Sequence, residues 1–197
     1  MSRSTRLLRA EAGGFVFRAL TAIVAATVLA AEAMANHLQV DAPALPASVA
    51  ALVTGLSPQG GGELTFLGLS VYDGWFWSRT HAWTPDRAYA LDLHYHRNLE
   101  GASIAERSVT EIEGIGVGNA AQRQRWGEAM RRIFPNVRKG DRITGVNLPP
   151  GIVRFYFNGQ PIGEIDDAEF TRAFFGIWLD PRTSRPAFRK QLLGAPE

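Results

Sequence analysis

Asn158-Gly159 stands between two runs, Ile152 to Phe157 and Gln160 to Ile165, and no other feature constrains this 197-residue chain as tightly. A two-residue type I′ turn needs positive φ at both positions, which Asn and Gly adopt at little cost, so the two runs are expected to pair as antiparallel strands. Immediately downstream Asp166 precedes Glu169 by three positions, as in a capping box. Phe170, Ala173, Phe174, Ile177 and Trp178 then recur at offsets 0, 3, 4, 7 and 8, the signature of a helix that must bury one continuous apolar face.

Period and composition extend the reading upstream. Ala88 to Arg97 alternates, with Tyr89, Leu91, Leu93 and Tyr95 on one side and Ala90, Asp92, His94 and His96 on the other, so it reads as a half-buried antiparallel strand. Glu63 to Trp77 is rich in aromatic and β-branched residues and reads as strand, with Gly68 and Gly74 marking a bulge or bend. Ala102 to Ile115 and Asn119 to Phe134 carry helical stripes, the first through Ile104, Ser108 and Ile112, the second through Trp126, Met130 and Ile133. Asp141 to Leu148 reads as a strand and Pro149-Pro150-Gly151 as a turn. Pro186 to Leu193 reads as a last helix with Thr183 or Ser184 as cap. Residues 36–61 are rich in Ala, Pro and Gly without a sustained period and read as an N-terminal arm with at most one short strand, closed by a flexible turn at Gly60-Gly61-Gly62. One domain, 62–194, follows. Strands, then two helices, then strands, then two helices argues against the alternating pattern of a parallel nucleotide-binding sheet. Neither a Walker loop nor a GxGxxG element occurs, so no cofactor is implied.

The first 35 residues have the build of an export signal: Arg3, Arg6, Arg9 and Arg18 precede an apolar run from Ala19 to Ala31, and Ala33-Met34-Ala35 supplies small residues for cleavage. The apolar run is shorter than the ~20 residues a bilayer core demands, so cleavage near Ala35 and a periplasmic or secreted product without a stable membrane span are expected, with an uncleaved anchor as the alternative. Cleavage removes four arginines and two glutamates from a chain of formal net charge +2, leaving a neutral product. Nucleic acid is not an expected partner, because no basic stripe with interleaved aromatics remains. The chain has no cysteine, which excludes disulfides, thiol nucleophiles and thiolate metal sites.

In order and spacing, Leu67-Gly-Leu-Ser-Val-Tyr-Asp, Tyr95-His-Arg-Asn-Leu-Glu-Gly, Lys139-Gly-Asp-Arg-Ile-Thr, the Phe155 to Ile165 hairpin, Ala168 to Leu179 and the closing Pro186 to Gly194 resemble the bacterial chalcone isomerase-like family. The resemblance implies an α+β, open-faced β-sandwich in which helices cover one face of a large antiparallel sheet and can enclose an apolar ligand. Chalcone isomerases guide a phenolate oxygen onto an enone with an arginine near the start of the sheet, a strand threonine, a helix tyrosine and asparagine, and a late-helix hydroxyl. No arginine lies between Arg18 and Arg79, Ile104 falls where the tyrosine belongs, and Glu111 falls where the asparagine belongs. Tyr72 lies near the strand threonine, and Thr171 falls on the late hydroxyl. A carboxylate in place of an amide, with no cation opposite, disfavours an anionic phenolate in a low-dielectric cleft.

The expected function is therefore binding of a small apolar or amphiphilic ligand such as a fatty acid, contacted by Arg97, Tyr95, Tyr72, Ile104 and Thr171, with Arg97 reading a polar head group or else pairing with Glu100 at the surface. The alternative is an intramolecular isomerase or lyase using Thr171, Tyr72 or Glu111. Asp92, His94 and His96 share one side of a strand and form a weak metal candidate, since His-x-His suits a metal ion; the rival reading is an ordinary solvent-facing strand side.

Overall fold

The computed structural model describes residues 42–194, and the leader and residues 36–41 of the arm lie outside the described residues. Six strands form one antiparallel sheet in chain order: β1 (Ser57–Phe66), β2 (Leu69–Ser78), β3 (Tyr89–Tyr95), β4 (Arg142–Leu148), β5 (Ile152–Phe157) and β6 (Gln160–Asp166). The expected hairpin is present, with Phe157 opposite Gln160 and positive φ at Asn158 (49°) and Gly159 (81°). Between β3 and β4 run α2 (Gly101–Gly114) and α3 (Ala120–Ile133); α4 (Ala168–Leu179) and α5 (Pro186–Leu192) follow β6. A short α1 (Ala47–Leu52) precedes the sheet.

The period-2 pattern of β3 divides the molecule. Leu91, Leu93 and Tyr95 face the larger core, where Ile112 of α2, Trp126 and Met130 of α3, Phe170 and Phe174 of α4 and Leu192 of α5 cover the sheet. The other face carries a smaller cluster, Trp75, Trp77, Ala90, Val146 and Tyr156, capped by Val49 and Val53 from α1 and the residue just after it. Helix α4 is buried on nearly every side from Phe170 onward, and its aromatic rings meet edge to face: Phe155 and Phe174 have centroids 5.1 Å apart at 90°.

Several local expectations give way to packing. Gly60-Gly61-Gly62 is not a turn but the middle of β1. A Cβ on Gly60 would lie 2.1 Å from the Gln191 carbonyl oxygen, one on Gly62 would strike the Gln191 side chain, and one on Gly61 would strike the Trp75 ring on the opposite face. The run lets α5 and an indole approach the backbone from both sides. Neither Gly68 nor Gly74 marks a bulge. Gly68 closes a second two-residue hairpin with Leu67, Gly74 makes room for Phe188, and the register of the β1–β2 pair shifts elsewhere, between Pro58 and Gly60 and between Leu64 and Thr65, the latter opposite Val71. The cap of α4 is Asp167 rather than Asp166: its carboxylate accepts from the amides of Glu169 and Phe170, both at 2.9 Å, and from the Trp126 indole at 2.9 Å. Helix α5 has no side-chain cap; Pro186 opens it, and Thr183 and Ser184 place their hydroxyls on the Ile177 carbonyl and on Glu111.

Candidate functional site

A cavity of about 270 Å³ lies between the sheet and the helices. Leu64 and Phe66 of β1, Val71 and Tyr72 of β2, Leu93 and Tyr95 of β3 and Ile143 of β4 form one wall; Ile104 of α2 with Phe174, Ile177 and Trp178 of α4 form the other. Val71 and Tyr72 are sequence neighbours, yet both line it, because the irregularity opposite Val71 interrupts the alternation of β2.

The polar groups differ in how far their partners satisfy them. The Trp178 indole donates to the Tyr72 hydroxyl at 2.8 Å, which leaves the phenol proton free to donate. Burial above all, opposed by the Trp178 hydrogen bond and assisted by the charge of Glu111, pushes the Tyr72 pKa up to about 12. Burial likewise raises Tyr95, whose ring meets that of Tyr72 edge-on at 5.7 Å. Both phenols are neutral across the physiological range. Glu111 is engaged twice, by Arg107 one turn earlier and by the Ser184 hydroxyl at 2.7 Å. Arg107 and Arg185 each hold a guanidinium 5.5 Å from the Phe66 ring centroid, within cation–π range. Among the described residues neither Arg185 nor Arg97 forms an ion pair; Arg97 is exposed at the cavity edge and is not bonded to Glu100.

The structure therefore gathers Tyr72, Tyr95, Arg97, Ile104 and Glu111 around one cavity. Thr171 is elsewhere: it is buried on α4 and donates to the Gly151 carbonyl at 2.7 Å, tying the helix to the β4–β5 turn. The metal candidate does not converge. Asp92 is fully buried rather than solvent-facing, and its carboxylate accepts from Arg142 Nε at 2.6 Å, Thr144 at 2.7 Å and His94 at 2.9 Å, with Arg142 Nη2 in close charge contact at 2.6 Å without hydrogen-bond alignment. His96 turns instead to Asp73 at 2.9 Å, beside Glu63 on the outer face. Sequence reasoning misses Arg107, Arg185, Ser184 and Trp178. Arg107 has a signal, since it precedes Glu111 by four on one helix face; Arg185 and Ser184 reach the rim only through the path of the chain between α4 and α5.

An antiparallel sheet roofed by helices over a small, mostly apolar cavity defines the open-faced β-sandwich class. Within it the chain belongs to the chalcone isomerase-like family, whose model matches residues 79–194. It is 31% identical over 140 residues to an uncharacterised protein of Haemophilus influenzae, covering 70% of this chain and 67% of that one. The crystal structure of an Arabidopsis thaliana fatty-acid-binding protein shares the fold at a TM-score of 0.55 and 12% identity, covering 72% of this chain and 88% of that one.

Proposed function

We propose that this is an exported, non-catalytic protein that holds a small apolar or amphiphilic ligand, such as a fatty acid, in the cavity between sheet and α4. The observation that carries the reading is the division of the cavity into an apolar body and a rim where Arg107 and Arg185 flank Phe66. Apolar walls supply affinity and a few placed polar groups fix orientation, as in ligand pockets generally. The shared fold of the Arabidopsis fatty-acid-binding protein supports the same ligand class. At about 270 Å³ the cavity falls just under the ~300–1,000 Å³ span of such pockets, which favours shorter chains over long ones. Export rests on the leader alone, and no helix among the described residues is long and apolar enough to cross a membrane.

The isomerase alternative retains Tyr72 and Glu111 in the cavity. Its third group, Thr171, is spent on the Gly151 carbonyl, and Glu111 is already paired with Arg107. Lipid extraction and native mass spectrometry of protein recovered from expressing cells test the binding reading. One co-purified amphiphile per chain is the expected result; repeated recovery of protein that carries nothing and takes up no added fatty acid would count against it. Turnover of a chalcone panel that is lost in Tyr72→Phe would favour the enzyme instead.

A further inference from the structure

Both two-residue hairpins of the sheet have positive φ at their central residues, but one puts Asn158 there and the other Leu67, at φ 50°. Leucine carries a steric penalty in the left-handed region that asparagine largely escapes. Leu67 is also 86% exposed, Leu69 54% and Phe66 42%, so three of the four exposed large apolar side chains among the described residues occupy four consecutive positions. A tip that accepts both an unfavourable backbone and apolar exposure has a use for leucine. Phe66 belongs to this tip and to the cavity wall at once, and it lies between Arg107 and Arg185. With Arg97, the cavity edge carries three guanidiniums against the single carboxylate of Glu111.

We propose that the β1–β2 tip docks on an anionic lipid bilayer, Leu67 and Leu69 entering the interface while the arginines meet the head groups, so that an amphiphile passes between bilayer and cavity beside Phe66. This rests on the cavity being a ligand site. Apolar side chains ringed by cations are what an anionic membrane surface recognises. A second copy of the chain fits less well, because three side chains fall far short of the roughly 20–30 residues a side that a standard protein interface engages.

The test pairs flotation with vesicles, phosphatidylcholine alone or mixed with phosphatidylglycerol, and uptake of a fluorescent fatty acid in solution. It uses the protein as recovered from expressing cells and a Leu67→Asn/Leu69→Ser variant on the same background. Asn suits the φ of position 67, so the variant keeps the turn. The wild type is expected to float with anionic vesicles, more weakly in high salt, and the variant to bind them about tenfold less while taking up the soluble fatty acid normally. Equal binding to neutral and anionic vesicles, no flotation, a variant that floats unchanged, or self-association abolished by the variant would each overturn docking. A protein that floats but takes up no fatty acid overturns the cavity reading on which docking rests.

Discussion

The two faces of the sheet treat charge differently. On the outer face Asp92 is wholly buried, and Arg142, Thr144 and His94 converge on its one carboxylate. On the helix-covered face the cavity keeps unspent capacity, since Arg97 and Arg185 form no ion pair among the described residues and Tyr72 retains its proton after accepting from Trp178. Buried charge with all its partners present belongs to the architecture, whereas polar groups with valence to spare beside an apolar hollow are available to a ligand.

That contrast predicts opposite phenotypes. Asp92→Ala strands Arg142, whose side chain is only 16% exposed, and is expected to cost about 3–5 kcal/mol in urea unfolding, with ligand affinity of the folded fraction unchanged; a large loss of affinity at full stability would break the contrast. Tyr72→Phe leaves the buried Trp178 indole without its acceptor and is expected to cost about 1–3 kcal/mol together with affinity, since it removes a donor from the cavity. Ile104→Trp fills the hollow instead, so a loss of at least about tenfold in affinity, ~1.4 kcal/mol, should come with little change in melting temperature.

The smallest expected effect concerns Asp167. Partial burial opposes its ionisation, but the Phe170 amide, the Trp126 indole and the Glu169 amide outweigh that and hold its pKa below the ordinary 3.8. A carboxylate that titrates lower folded than unfolded contributes stability above the unfolded pKa and loses it as pH falls through the folded one. Asp167→Ala should therefore lower stability by about 1 kcal/mol at neutral pH, and the deficit should shrink progressively in acid below the unfolded carboxylate range; a deficit that does not depend on pH would show that the cap works without its charge.

Legibility in the sequence follows the range of the interactions. The Asn158-Gly159 hairpin, the α4 stripe and the position of β3 are local patterns, and each stands where the sequence places it, although β3 is buried on both faces rather than half-buried because α1 covers the side that carries Ala90. Gly60-Gly61-Gly62 reads locally as a turn because its reason for being glycine is the approach of α5 and Trp75 from distant parts of the chain. Arg97, Tyr72, Tyr95, Ile104 and Glu111 line one cavity, while Thr171 does not join them, since its hydroxyl serves a backbone carbonyl 20 residues away. Burial of Asp92 is invisible in the sequence because Arg142 and Thr144 come from β4, about 50 residues on.

The most direct measurement is a native mass-spectrometric titration of wild type and Ile104→Trp with fatty acids of increasing chain length. One bound molecule per wild-type chain, a preference for shorter chains, and loss of the adduct in the Ile104→Trp variant, where an indole occupies the hollow, are the expected results. Equal adducts in both proteins, or none at any length, would contradict the binding reading.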